Sequence, residues 1–124
     1  MNINFKGKTI LVVDDDLTSL LLFNELLEST GADIVCAPDG KSAIEALVNR
    51  NIDIVLLDIK LTDISGYALL IEFRKINPFI IVIAQTALSV ESYQKCIEAG
   101  FNDYITKPIM SNELLFKIDK HLIF

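Results

Sequence analysis

The sequence predicts an α/β fold in which a doubly wound sheet of five parallel strands carries helices on both faces. Five short aliphatic runs alternate along the chain with five segments of helical spacing, an order typical of repeated βαβ units. Three of the runs are continuous in Val, Ile and Leu, as expected where helices cover both faces of a sheet. Polar residues follow these runs, at the strand ends where open α/β sheets bind ligands.

The alternation defines ten elements. The predicted strands are residues 9–13, 33–37, 53–57, 79–84 and 103–106, and the predicted helices are residues 17–29, 40–50, 65–76, 89–99 and 111–122. The first, third and fourth strands are the most aliphatic and therefore belong inside the sheet. Glycines stand at or near the helix boundaries, where tight or left-handed backbone is often needed: Gly31, Gly40, Gly66 and Gly100.

The first helix is apolar on two sides. At 100° per residue one arc is assigned to the core, namely Leu22, Phe23, Leu26 and Leu27. The opposite side carries Leu17, Leu20 and Leu21, where polar residues would be ordinary. These leucines indicate either a broad core face or a docking patch for a partner protein, and we favour the patch.

Length and composition limit the possible classes of protein. The 124 residues suit one domain, residues 1–124, and an apolar fraction of 52% argues against disorder. A net charge of −6 argues against direct nucleic-acid binding. No apolar run is long enough to span a bilayer, so we expect no membrane contact from this segment. The N-terminus lacks the pattern of a secretion signal. Cys36 and Cys96 have no metal-ligand spacing, which predicts buried thiols in a reducing cytoplasm.

Three consecutive carboxylates follow the first strand. Asp14, Asp15 and Asp16 repel one another unless water, a helix start, a basic partner or a metal ion relieves the repulsion. Capping of the first helix is an ordinary role for aspartate, and Asp16 is the residue best placed for capping alone. The other two carboxylates remain candidates for binding a cation.

The ends of the other strands supply complementary groups. Asp58 follows the third strand, Thr86 the fourth and Lys107 the fifth, so these side chains meet Asp14 and Asp15 if the strands are neighbours. Carboxylates and water form an oxygen-rich site suited to Mg²⁺. An aspartate beside this cation can attack a phosphoryl group, while a lysine and a hydroxyl stabilise the phosphoryl oxygens.

Four motifs in this order resemble the receiver domains of two-component response regulators over essentially the whole chain. They are Val12-Val13-Asp14-Asp15, Leu56-Leu57-Asp58, Gln85-Thr86-Ala87 and Tyr104-Ile105-Thr106-Lys107-Pro108. The resemblance implies a flavodoxin-like sheet with strand order 2-1-3-4-5, and a signalling domain that assists only its own phosphorylation and dephosphorylation. It also implies a phosphohistidine donor, on a histidine kinase or a histidine phosphotransfer protein.

The resemblance implies a role for each site residue. Asp58 is the phosphoacceptor, and Mg²⁺ is held by Asp14, Asp15, Asp58 and the backbone carbonyl of Lys60. Thr86 contacts the phosphoryl group, Lys107 pairs with it, and Tyr104 changes rotamer with activation. Lys107-Pro108 is expected to be a cis peptide. Thr62 stands where the family often has proline, which predicts a less rigid loop after Asp58.

Other interpretations compete with this one. Asp14-x-Asp16-x-Thr18 also fits the opening motif of haloacid-dehalogenase-type phosphatases, with Asp14 as nucleophile, but Asp58 is then unexplained. A flavin-binding domain would need a phosphate loop after the first strand. Within the receiver family, a segment of a hybrid histidine kinase is favoured over a free-standing single-domain regulator, acting as a monomer or a weak homodimer. His121 is expected to face solvent or the C-terminal dipole of the last helix.

Overall fold

The computed structural model describes residues 3–87 and 90–122, which form ten alternating elements. The strands are β1 (Thr9–Val13), β2 (Asp33–Ala37), β3 (Ile54–Asp58), β4 (Ile81–Ala87) and β5 (Asp103–Lys107). The helices are α1 (Leu17–Glu28), α2 (Gly40–Asn49), α3 (Gly66–Ile76), α4 (Val90–Ala99) and α5 (Ser111–Leu122). The predicted start of the fourth helix at residue 89 lies outside the described residues.

All five strands pair in parallel, in the order β2-β1-β3-β4-β5. The predicted fold class and strand order are therefore confirmed. From β1 the chain adds β2 on one side of the sheet and β3 to β5 on the other, so the winding direction reverses between β1 and β3. In open α/β sheets a crevice forms at this switch point, at the carboxyl ends of the strands. The Lys107-Pro108 bond is cis, as the family resemblance implied.

Two apolar layers cover the sheet. Leu11, Val55 and Val82 face the layer that includes residues of α2, α3 and α4. Ile10, Ile54 and Ile83 face the layer that includes residues of α1 and α5. This alternation follows from the two-residue period of a strand, and it explains why the inner strands are aliphatic at every position.

Strands β3, β4 and β5 extend further at their carboxyl ends than the sequence predicts. Asp58 pairs in register with Gln85, and Ala87 pairs with Lys107. The ladder between neighbouring strands holds these polar residues in extended backbone despite their weak strand propensity. As a result, Asp58, Thr86 and Lys107 stand on the sheet itself and not on loops beyond it.

The structure corrects the predicted faces of α1. Leu20 was assigned to the outward patch but is only 7% exposed, whereas Leu22, assigned to the core, is 42% exposed. The buried stripe is Leu20, Phe23 and Leu27, with the 3-and-4 spacing of a single helix face. Leu17 and Leu21 are exposed as predicted. Because leucines occupy several arcs of this helix, periodicity alone could not select the buried one.

The cysteine prediction is half correct. Cys96 is buried in the layer beneath α4, but Cys36 is exposed on β2. β2 is an edge strand and is incompletely covered, with Ala37 its one fully buried residue. No helix within the described residues is long and apolar enough to cross a membrane.

Candidate phosphoacceptor site

The three carboxylates after β1 occupy different environments. Asp14 is fully buried and its Oδ1 accepts a hydrogen bond from the backbone N–H of Asp16 at 2.9 Å. Asp15 is exposed. The Asp16 side chain accepts from the backbone N–H of Thr18 at 3.0 Å and caps α1, as the sequence predicts. Asp16 therefore has a local structural role, whereas Asp14 and Asp15 remain available for the chemistry of the crevice.

Asp58 lies at the end of β3, is 6% exposed, and is grouped with Asp14, the residue that follows the neighbouring strand β1. Its Oδ1 accepts a hydrogen bond from the backbone N–H of Lys60 at 2.9 Å, and its Oδ2 accepts one from Lys107 Nζ at 3.0 Å. The Asp58 carboxylate is thus held by the loop that follows β3 and by Lys107 on β5, which lies two strands away in the sheet. Residues 58 and 107 are far apart in sequence, and only the sheet order brings them together.

Lys107 is the cation that the site supplies. Its Nζ also lies 3.6 Å from Asp14 Oδ2, beyond hydrogen-bond distance but within an ion pair. Burial alone would lower the pKa of Lys107, but its hydrogen bond and charge interaction with Asp58, and the charge of Asp14, raise it overall. The ammonium group therefore stays protonated at neutral pH.

The charge of the site is not balanced. Burial raises the pKa of Asp14, and the charges of Asp58 and Asp15 add to this effect; the Asp16 N–H and Lys107 only partly oppose it. Among the described residues, the buried carboxylates of Asp14 and Asp58 share the ammonium group of Lys107 as their ion-pair partner, and Asp15 adds a third carboxylate beside them. Additional positive charge would stabilise the ionised cluster.

The carboxylates lie close enough together to hold a metal ion. One oxygen from each of Asp14, Asp15 and Asp58 lies within 4.8 Å of the others. Asp14 Oδ2 is buried and accepts no hydrogen bond from any described residue. A buried carboxylate oxygen without a donor is costly, and coordination of a hard cation such as Mg²⁺ would compensate for it. The donor set fits a divalent cation.

Thr86 lines the crevice, and Tyr104 packs between β5 and α4. Thr86 is half-buried on β4 and lines a cavity of about 460 Å³ together with Asp58, Lys60 and Lys107. Tyr104 is half-buried on β5, and its ring centroid lies 4.8 Å from that of Tyr93 on α4. The predicted switch residues are therefore present between the site and α4.

The loop after Asp58 is tied to α2. Both carboxylate oxygens of Asp63 accept from the backbone N–H of Gly40, at 3.0 and 3.1 Å. The backbone N–H of Gly66 donates to the carbonyl of Ile59 at 2.8 Å. These contacts restrain the loop that carries Thr62 in place of the family's usual proline.

Sequence reasoning missed a second charged cluster, at the start of β5. Asp103 is buried and its Oδ2 lies 2.9 Å from His121 Nε2, so the expectation that His121 faces solvent is wrong. The alternative, that His121 serves the C-terminal dipole, agrees with its place in the last turn of α5. Burial alone would raise the pKa of Asp103. The hydrogen bonds with His121 and with the Tyr104 N–H, and the charges of Lys117 and Lys120, lower it below its ordinary value. Asp103 lies on β5 and His121 on α5, so no periodicity within a single element could have revealed the pair.

Comparison with known proteins identifies the class. The sequence profile of the family "Response regulator receiver domain" matches residues 10–119. The chain belongs to this family, and its five-stranded fold and acidic crevice agree with that membership. Membership favours the receiver interpretation over the haloacid-dehalogenase-type alternative.

Individual relatives give the same result. The chain is 35% identical over 114 residues to the transcriptional regulatory protein ZraR of Escherichia coli O157:H7, covering 91% of this chain and 26% of ZraR. It thus spans about a quarter of that relative's length. A CheY-like receiver domain protein from Methanospirillum hungatei JF-1 is similar, at 33% identity, a TM-score of 0.83 and 91% coverage of both chains. The Francisella response regulator 1452 receiver domain gives 31% identity, a TM-score of 0.86 and coverage of 93% and 96%.

Proposed function

We propose that this receiver domain accepts a phosphoryl group on Asp58 from a partner's phosphohistidine and thereby changes which partner it binds. The observation that carries the proposal is the environment of Asp58. Its carboxylate is buried at the switch point of the sheet, 3.0 Å from Lys107 Nζ and grouped with Asp14 and Asp15. This arrangement suits phosphoryl transfer to one carboxylate, because each neighbouring group either balances the charge of Asp58 or orients its oxygens.

The reaction is a nucleophilic displacement at phosphorus. A carboxylate oxygen of Asp58 forms the new P–O bond, the P–N bond to the donor imidazole breaks, and the imidazole leaves with the electron pair and takes a proton from water. Lys107 neutralises charge on the phosphoryl oxygens, and the Thr86 hydroxyl donates a hydrogen bond to one of them. Hydrolysis by water later returns Asp58 to its carboxylate.

Mg²⁺ would be held by the carboxylates of Asp14, Asp15 and Asp58 and by the backbone carbonyl of Lys60. When bound, it supplies positive charge that offsets the excess of carboxylates and the charge of the phosphoryl group. The support for this is the buried, undonated Oδ2 of Asp14 and the close grouping of three carboxylates.

In the proposed response, phosphorylation at Asp58 changes the packing of α4 through the residues between them. New charge on Asp58 draws Thr86 and Lys107 toward the phosphoryl oxygens, and Tyr104 repacks against α4 where it now contacts Tyr93. The two packings of the α4–β5 surface then favour different partners. No step requires the domain to turn over an external substrate, so we assign it a signalling role.

The donor is a cytoplasmic histidine kinase or histidine phosphotransfer protein. Leu17 and Leu21, exposed beside the acidic crevice, supply an apolar surface for a helical partner. The domain acts as part of a hybrid histidine kinase or as a single-domain regulator, as a monomer or weak homodimer. It does not bind nucleic acid directly.

Intact mass after incubation with acetyl phosphate and Mg²⁺ tests the proposal. The wild type is expected to gain one phosphoryl group, only when Mg²⁺ is present, and Asp58→Asn is expected to gain none. Asp14→Asn should lower the yield strongly. Asp16→Asn is the matched control, because asparagine also caps helices and Asp16 does not face the crevice, so its yield should equal that of the wild type.

Two results would contradict the proposal. A stoichiometric adduct on Asp58→Asn would place the phosphoacceptor elsewhere. Steady release of phosphate without an adduct, abolished in Asp14→Asn, would instead indicate a phosphatase with Asp14 as nucleophile.

A further inference from the structure

Gln85 is a buried polar side chain without a partner. It is fully buried on β4, and neither its Oε1 nor its Nε2 makes a hydrogen bond to any described residue. Since both ends of the carboxamide are unpaired, exchanging the oxygen and nitrogen positions does not remove the anomaly. Buried polar groups are nearly always paired, because an unpaired one loses its hydration without compensation. The preceding residues of β4, from Val82 to Ala84, are all apolar and buried.

The sheet register places Gln85 between the two partners of the central ion pair. Gln85 pairs in register with Asp58 on β3 and with Ile105 on β5. Lys107 stands two residues beyond Ile105 and therefore points to the same face of the sheet. Because β4 lies between β3 and β5, the Lys107 side chain must span β4 to place its Nζ 3.0 Å from Asp58 Oδ2, and it ends at the row that contains Gln85.

The same face contains the other unpaired atom of the site. Asp58 and Gln85 form one row across β3 and β4, and Asp14 continues it one residue beyond the end of β1, since Val13 pairs with Leu57. The buried atoms without hydrogen bonds among the described residues are Asp14 Oδ2 and the two carboxamide atoms of Gln85. All of them therefore belong to the row that Lys107 spans.

We propose that Gln85 is a positioning residue whose carbonyl oxygen accepts a hydrogen bond from Lys107 once Asp58 carries a phosphoryl group. This inference rests on the proposed function. In the resting site the two carboxylates outcompete a neutral amide for the ammonium group, which lies 3.0 Å from Asp58 and 3.6 Å from Asp14. When phosphorylation and a bound cation engage those carboxylates, Lys107 turns to the phosphoryl oxygens and one of its three N–H groups needs a new acceptor.

The consequence is a bias between two states. In the resting state the unpaired carboxamide destabilises the fold, and in the phosphorylated state the same group is paired and orients Lys107. Gln85 therefore favours the phosphorylated state at the expense of the resting one, without touching the phosphoryl group itself.

The test uses Gln85→Met, which keeps the length of the side chain and removes its hydrogen bonds. The matched control is Gln94→Met on the exposed surface of α4. The probe is beryllofluoride with Mg²⁺, a non-hydrolysable analogue of the phosphoryl group, and the readouts are its dissociation constant and the thermal midpoint of each variant without it. Lys107→Met, alone and combined with Gln85→Met, completes a double-mutant cycle.

We expect Gln85→Met to unfold at the same or a higher temperature without the probe, yet to bind beryllofluoride about tenfold more weakly, or about 1.4 kcal/mol. In the Lys107→Met background the second substitution should have no further effect on binding, which a merely structural role would not produce. Gln94→Met should match the wild type in both measurements.

Two results would overturn the inference alone. A lower thermal midpoint of unliganded Gln85→Met would mean that the carboxamide already has a partner, and wild-type affinity for beryllofluoride would mean that it does not act in the phosphorylated state. If the wild type itself neither bound the probe nor formed an adduct with acetyl phosphate, the proposed function would fail first, and the inference with it.

Discussion

Gly66, the first residue of α3, allows a close approach of two backbone segments beside the phosphoacceptor. A Cβ at this position would lie 2.6 Å from the Cα of Ile59 and 2.7 Å from the backbone oxygen of Asp58. Both contacts are with backbone, so no side-chain rotation can relieve them. Gly66→Ala should therefore displace the segment that carries Asp58.

The size of the effect follows from these distances. Ile59 must recede by about 0.8 Å for the contact to reach ordinary van der Waals separation, beginning at 3.4 Å. Overpacking of this kind costs about 1–3 kcal/mol, whereas alanine in place of glycine in a helix gains at most about 1 kcal/mol. The difference of these two terms predicts a net loss of about 1 kcal/mol in the free energy of unfolding. A displacement near 1 Å at a reacting group can reduce a rate about 100-fold, so phosphorylation should slow at least about tenfold.

Urea unfolding and the rate of adduct formation with acetyl phosphate measure the two effects. Gly40→Ala is the comparison variant, because its Cβ would also be crowded, by the Cγ2 methyl of Ile64 at 2.4 Å and an Asp63 carboxylate oxygen at 3.3 Å, but by side chains and not by the backbone of Asp58. It should retain a phosphorylation rate within about twofold of the wild type. Gly66→Ala with wild-type stability and rate would show that the close approach does not position Asp58.

Three further substitutions test the electrostatics and the scaffold. The raised pKa of Asp14 means that its ionised form destabilises the fold as pH rises above the ordinary carboxyl value of 3.8. Asp14→Asn should therefore raise the free energy of unfolding at pH 7 by about 1 kcal/mol in metal-free buffer, and an unchanged or lower value would contradict this reading. Asp103 has a lowered pKa, so its stabilisation is present above pH 3.8 and lost as pH falls through its folded value. Asp103→Asn should cost about 2–3 kcal/mol at pH 7 in urea unfolding, with the difference shrinking in acid; a pH-independent difference would exclude the carboxylate charge as its cause. Arg74→Met removes hydrogen bonds to the carbonyls of Ile80 and Gly100, and should cost about 2 kcal/mol in thermal or urea unfolding while adduct formation at the opposite end of the strands stays unchanged.

The sequence was sufficient for the fold and for the residues at the strand ends. Alternation of aliphatic runs with helical segments predicted the five parallel strands, and the type of residue after each run predicted where Asp14, Asp58, Thr86 and Lys107 would meet. This succeeds because strand ends in a parallel sheet share one edge, so position along a strand converts directly into position in space. Helix α1 shows the limit, since its leucines occupy more than one arc and only packing against the sheet selected Leu20 over Leu22.

Other features depended on contacts that no local pattern encodes. Gln85 in the sequence is an ordinary polar residue near a strand end, and its isolation becomes visible only when β3 and β5 flank it. The pairing of Asp103 with His121, and of Asp63 with the N–H of Gly40, joins residues 18 and 23 positions apart. The sequence thus determined which groups stand at the reactive edge, through the fixed periods of strands and helices. The tertiary structure alone decided which polar groups are paired and which are left without a partner, because hydrogen bonding in a buried site depends on atoms brought together from distant segments.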